Sequence, residues 1–131
     1  MAVNVTALYA GLCAILIIAL AFRVVQFRRS KKVGLGSGQD RDSEIRVRVH
    51  ANAIEYIPIA LVLMLIAELC GLAATWLHLL GGLFVLARLM HAYGLTAGQG
   101  GYHPGRFVGT ALSWVVILVL AVIDIGFALA G

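Results

Sequence analysis

Arg46–Leu69 reads RVRVHANAIEYIPIALVLMLIAEL. From Ile57 onward the run is apolar with Glu68 as its one charged residue, and before it stand Arg46, Arg48, His50, Asn52 and Glu55. A carboxylate or guanidinium carried into a membrane segment needs a partner or a purpose. Composition settles that lipid is the right solvent to consider. The chain has 131 residues, 62% hydrophobic and 12% charged, with a mean hydropathy of +0.99. A soluble domain is about 45–50% apolar and about 25% charged. At about 20 residues per crossing the length allows four spans in a single domain, 1–131, with no large extramembrane part.

Working outward, the spans are expected at 6–26, 45–69, 75–96 and 106–130, with a polar, Gly-rich loop at 27–44. The first run has no basic residues before it and no small-residue cleavage site after it, so it reads as a retained span. Pro58 is expected to kink the second span. CGLAAT makes a short hairpin, Trp76 anchors the third span at an interface, and Pro104 suits the first turn of the fourth helix. The fold class is all-α integral membrane, an antiparallel four-helix bundle.

Eight of the ten Lys and Arg residues, Arg23, Arg28, Arg29, Lys31, Lys32, Arg41, Arg46 and Arg48, fall around the first loop. The positive-inside rule makes that loop cytoplasmic and puts both termini outside. Nucleic acid is excluded as a partner, because no folded module presents the cluster.

Residues three, four or seven apart share a helix face. Arg48, Asn52, Glu55 and Tyr56 therefore form one polar stripe that cannot face lipid. Arg88 and His91 share a face of the third span, and Arg106 opens the fourth at a similar depth. One reading pairs Glu55 with Arg88 or Arg48 to fix helix register. The other notes that three arginines meet one carboxylate at this level. An excess of positive charge there invites an anion, since guanidinium forks match carboxylates. A ligand with two carboxylates and one ammonium fits that inventory.

Other polar residues rank below these. Glu68 and Asp124 are expected to reach the outer interface, His78 to lie there beside Trp76, and His50 to pack at the helix start. His103 and Tyr102 fall in the last loop. Cys13 and Cys70 read as small buried hydrophobes. No histidines stand at metal-ligand spacing with a carboxylate, so no metal site is expected. GLGSG lacks the Lys and Ser/Thr of a phosphate loop.

RVHANAIEYIP resembles the second-helix signature of the MAPEG family, membrane-associated proteins in eicosanoid and glutathione metabolism: Arg-x-x-x-Asn-x-x-Glu-Tyr-x-Pro. LFVLARLMHAYG resembles that family's third-helix segment. The resemblance implies a four-helix protomer assembling as a homotrimer, with glutathione between neighbouring protomers. It implies glutathione contacts from Arg48, Asn52, Glu55, Tyr56, Arg88 and His91, and from Arg28 or Arg29 at the end of the first helix. It makes Arg106 the residue that activates the glutathione thiol. Some members carry a tyrosine where this chain has Leu95; Tyr93 and Tyr102 stand nearby but out of register, as second-line candidates.

The function expected from this resemblance is a glutathione-dependent membrane enzyme. It would be a transferase, with peroxidase activity possible, acting on apolar electrophiles or lipid hydroperoxides that enter from the bilayer. Brief loops favour a bacterial inner membrane. Two rivals stand beside it. One is a non-enzymatic lipid- or partner-binding protein of the same fold. The other is a small multidrug exporter, disfavoured because its coupling carboxylate belongs in the first span and 6–26 contains no acid.

Overall fold

The computed structural model describes residues 2–131. It consists of α1 (Asn4–Lys31), α2 (Arg41–Leu69), α3 (Ala74–Ala97) and α4 (Pro104–Ala130). All four are long and apolar enough to cross a membrane. The linkers between them are short, so consecutive helices run antiparallel. α2 and α3 form the middle of the bundle. α1 packs on both from one side and α4 on both from the other, and among the described residues α1 and α4 do not meet.

The helices outrun the apolar segments. α1 continues past residue 26 through Arg28, Arg29 and Lys31, and α2 begins at Arg41 rather than 45, leaving a linker of 32–40 instead of 27–44. Hydropathy marks where lipid ends; the caps mark where the helix ends. Asp40 accepts from the N–H groups of Asp42 (2.8 Å) and Ser43 (3.3 Å), and Asp42 and Glu44 occupy the favourable first turn of α2. At 29 residues α2 is about 43 Å long, against a hydrocarbon core of about 30 Å. Its charged first turns therefore stand at the membrane edge. Pro58 is accommodated inside α2, which continues beyond it to Leu69.

The core stripe of α2 is Val49, Ala53, Ile57, Ala60, Met64 and Ala67, all buried at three- and four-residue spacing. Small residues let neighbouring backbones come close. The closest approach joins α3 to α4. A Cβ on Gly109 would lie 2.6 Å from both the Ala87 carbonyl oxygen and the His91 nitrogen, and one on Gly94 would collide with the Arg106 nitrogen. The glycines thus bring Arg106 down beside the His91 turn of α3.

The other end of the bundle corrects two expectations, for Asp124 and Cys70, and gives Glu68 a specific partner there. Glu68 turns inward to accept from the backbone N–H groups of Val5 (3.0 Å) and Thr6 (2.7 Å), capping a helix whose own N-cap, Val3, supplies no side-chain bond. Both carboxylate oxygens of Asp124 are buried and without a hydrogen-bond partner among the described residues; the side chain does not reach water as expected. Cys70 is exposed at the end of α2, whereas Cys13 is buried as read. His78 remains exposed, with its Nδ1 3.0 Å from the Tyr9 hydroxyl.

Candidate functional site

At the end of the bundle that carries the 32–40 linker, α2, α3 and α4 enclose a cavity of about 240 Å³, lined by Arg41, Glu44, Ile45, Arg48, Asn52, His91, Leu95, Gln99, Gly100 and Arg106. Of the residues singled out in the sequence, Arg48, Asn52, His91 and Arg106 come together here. Arg41 and Glu44 join them. The charge inventory changes its members but not its sign: three guanidiniums (Arg41, Arg48, Arg106) face one carboxylate (Glu44).

The polar stripe of α2 splits three ways. Arg48 and Asn52 line the cavity. Glu55 turns to the outside of the protomer, its carboxylate 3.7 Å from Arg48 Nη2, with both side chains about half exposed. Of the two partners open to Glu55, Arg48 is the one it takes. Tyr56 turns the other way, its ring 5.4 Å from the Arg88 guanidinium. Glu55 and Tyr56 therefore flank the cavity without lining it.

Arg88 lies behind the wall and is 1% exposed. Its Nη2 donates to Asn52 Oδ1 and stands 3.4 Å from His91 Nδ1, while Nη1 donates to Ser113 Oγ at 3.2 Å. No carboxylate pairs with it: among the described residues the ion pairs are Arg46–Asp42 and Arg48–Glu55.

The turn between α3 and α4 forms the rim. Arg41 donates from Nε (3.0 Å) and Nη2 (2.6 Å) to the Gln99 carbonyl. Arg106 donates from Nη1 to the Gly100 carbonyl at 2.8 Å and the Gly101 carbonyl at 3.4 Å. Both of its hydrogen bonds use Nη1, which leaves Nε and Nη2 for a ligand. Gln99 and Gly100 both adopt positive φ, 53° and 82°. His103, placed by sequence in a loop, is the N-cap of α4 and accepts from the Gly105 N–H at 3.0 Å.

Arg28 and Arg29 stay at the end of α1, away from the cavity; Arg28 Nε donates to the Gly36 carbonyl at 3.2 Å. Tyr93 is exposed on α3 with its ring edge-on to His103. Tyr102 is exposed and lines a second, more open groove with His103, Arg106 and Phe107. Neither tyrosine reaches the polar cavity, and Leu95 is buried in its wall. Among the described residues no group of His, Cys, Asp and Glu could hold a metal.

Sequence reading missed Arg41, Glu44, Gln99 and Ser113. The first two fell in the expected loop, and only the Asp40 cap in front of them signals a helix. Ser113 is signalled by being a polar residue within an apolar helix, four residues after Gly109.

The sequence model of the family described as the MAPEG family matches residues 6–125. The chain is similar to the protein named inner membrane protein YecN from Escherichia coli (strain K12). The two are 37% identical over 128 residues, covering 94% of this chain and 92% of that protein. The protein of the same name from Escherichia coli O6:H1 gives the same figures.

Proposed function

The chain belongs to the MAPEG family, and on that premise we propose that it is a glutathione-dependent enzyme of the bacterial inner membrane, a glutathione S-transferase with peroxidase activity towards lipid hydroperoxides. The observation that carries this reading is the cavity at the membrane edge, where three arginines stand against one carboxylate. Arg48, Asn52 and His91 hold the tripeptide, with Arg88 supporting them from behind. Glutathione is a co-substrate, and the second substrate is an apolar electrophile arriving from the bilayer. Both termini face the periplasm, because the basic linker stays inside.

Arg106 acts on the thiol. A free thiol of this kind has a pKa of about 8.5, so little is thiolate at neutral pH. Lowering that by about two units takes about 2.7 kcal/mol of preferential stabilisation of the anion. A guanidinium with free N–H donors in a partly dry site can supply it. The thiolate then attacks the electrophilic carbon of a halogenated substrate, the carbon–halogen bond breaks, and the halide and the thiol's proton leave to the water at the membrane edge. With a hydroperoxide the thiolate attacks the terminal peroxide oxygen, the O–O bond breaks, and the alkoxide takes the proton as an alcohol. A second glutathione converts the sulfenic acid to the disulfide and water.

The cavity is smaller than the roughly 300–1,000 Å³ of most ligand clefts, and the Arg48–Glu55 pair lies on the outside of the isolated protomer. Charged groups at this depth do not face lipid. A neighbouring protomer that covers them supplies the missing wall, in a homotrimer with one site per interface. Arg28 and Arg29, at the end of α1, then reach a neighbour's ligand rather than their own.

One observation favours a non-enzymatic binding protein of the same fold: Arg106 already ties down the α3–α4 turn and could serve only there. A thiolate absorbance titration beside calorimetric binding separates the two. Wild type should bind glutathione and show thiolate near neutral pH. Arg106→Ala should keep most of the binding and show thiolate only at alkaline pH. Conjugation of a chlorinated aromatic electrophile should fall with it. Absence of glutathione binding in the wild type would refute the enzyme reading.

A further inference from the structure

Arg88 is the largest fully buried side chain among the described residues, and it does not line the cavity. It nevertheless touches two residues that do, Asn52 and His91, through one nitrogen, Nη2. Its other terminal nitrogen meets Ser113 Oγ, whose own hydroxyl donates to the Gly109 carbonyl at 2.7 Å. With its proton committed, Ser113 can only accept from Arg88.

A guanidinium has five N–H donors, no acceptor, and stays charged in proteins. Whatever meets it must offer an acceptor atom. Asn52 has a single side-chain acceptor, Oδ1. Turning that oxygen to Arg88 sends the amide NH₂ the other way. His91 presents Nδ1 to the same guanidinium, and a nitrogen that accepts there carries no proton. The ring proton is then on Nε2, the nitrogen turned away from Arg88, on a residue that lines the cavity. Asn52 and His91 could each show a ligand either a donor or an acceptor, and their shared contact with Arg88 removes that choice.

We propose that Arg88 is a positioning residue that fixes the amide orientation of Asn52 and the Nε2–H tautomer of His91, so that the inner wall of the cavity offers hydrogen-bond donors only. The arginines at the rim, Arg48 and Arg106, extend the same polarity, and Glu44 is the one lining carboxylate that opposes it. Such a wall fits a ligand that turns acceptors towards it: peptide carbonyls, carboxylates or a thiolate. An ammonium or an amide N–H aimed at it would leave two donors facing each other, a mismatch that sites use to reject analogues. A role in helix register alone does not account for the arrangement. Glu55, three residues from Asn52 on α2, would neutralise a register-setting arginine, yet it pairs with Arg48. Arg88 instead meets neutral acceptors that each have a second, ligand-facing end.

The identity of the ligand rests on the glutathione reading above; the polarity of the wall does not. The first measurement therefore uses ligand-free protein. Two-bond nitrogen–proton correlations of the His91 ring in ¹⁵N-labelled protein in micelles should show bare Nδ1 and protonated Nε2. Arg88→Lys, which keeps a donor, should retain that pattern, and Arg88→Met should lose it or mix the tautomers. A wild-type Nδ1–H tautomer, or an unchanged pattern in Arg88→Met, would overturn the proposal.

The second measurement uses Asn52→Asp, which keeps an oxygen on Arg88 but replaces the cavity-facing NH₂ by another oxygen. Thermal stability should match or exceed wild type while glutathione affinity falls at least tenfold. A stable Asn52→Asp protein that binds glutathione as the wild type does would also overturn the proposal. Should Arg88→Met fail to fold, the wild-type spectrum and the Asn52→Asp pair still decide. Should wild type bind no glutathione, the reading of the ligand falls, and the His91 tautomer alone decides the role of Arg88.

Discussion

Removing the Glu68 carboxylate should loosen the start of α1 without touching the cavity at the other end of the bundle. Glu68 accepts two backbone N–H groups, from Val5 at 3.0 Å and Thr6 at 2.7 Å, at a helix start that has no other side-chain cap. A hydrogen bond to a charged group contributes about 1.5–3 kcal/mol net, and a negative charge at a helix N-terminus a further 0.3–1 kcal/mol or so. The carboxylate is partly open to water, so the low end applies, and its two bonds share one charge. Glu68→Ala should therefore destabilise the protein by roughly 2–3 kcal/mol, and Glu68→Gln, which keeps one acceptor, by roughly half as much. The assay is thermal unfolding in micelles, with amide hydrogen exchange read at Val5 and Thr6. Both amides should exchange faster in Glu68→Ala, and ligand binding should not change. Wild-type unfolding and unchanged exchange at Val5 and Thr6 would refute the capping argument.

Gly109→Ala should destabilise by about 1–3 kcal/mol or more, because the new Cβ meets backbone atoms of α3 that cannot move aside; Gly126→Ala, with nothing within 4 Å, should be neutral in the same unfolding assay. In a Cys70→Ser background, a cysteine at Ser37 should label from the cytoplasmic side and one at Ala74 from the outer side, and reversed labelling would invert the proposed topology. Native mass spectrometry in mild detergent should show a trimer that dissociates more readily in Glu55→Lys, since that change turns the exposed Arg48–Glu55 pair into a repulsive one.

The helices were legible because four apolar runs of bilayer length admit little else. The polar level of the site was legible too, because Arg48, Asn52 and Arg106 interrupt those runs where lipid would not tolerate them. Which way each side chain turns was not. Arg48 and Glu55 lie seven residues apart on one face and pair with each other, yet Arg48 lines the cavity as well and Glu55 does not. The difference is set by the position of α3 and α4, which helical spacing does not contain. The burial of Arg88 depends on Ser113, 25 residues away, and on the close approach that Gly109 permits. The first turn of α2 was hidden for another reason: it is charged, so its helicity rests on Asp40 and not on hydropathy. Glu68 was placed at the correct end of the bundle, but its partners are backbone groups, to which sequence pattern is blind.

The turn at Gln99 and Gly100 is held from two sides, by Arg41 on the Gln99 carbonyl and by Arg106 on the Gly100 carbonyl. The same Arg106 is the group a bound anion would draw upon. A ligand that pulls this guanidinium away from Gly100 removes one of the two ties on the rim that encloses it, and by linkage a rim held more tightly by Arg106 binds that ligand less well. Arg41 makes no such exchange, since its donors serve Gln99 whether or not Arg106 is engaged. Should a bound anion draw Arg106 off Gly100, Arg41 would be the remaining tie, and weakening Arg41 should then speed departure of that anion from the cavity.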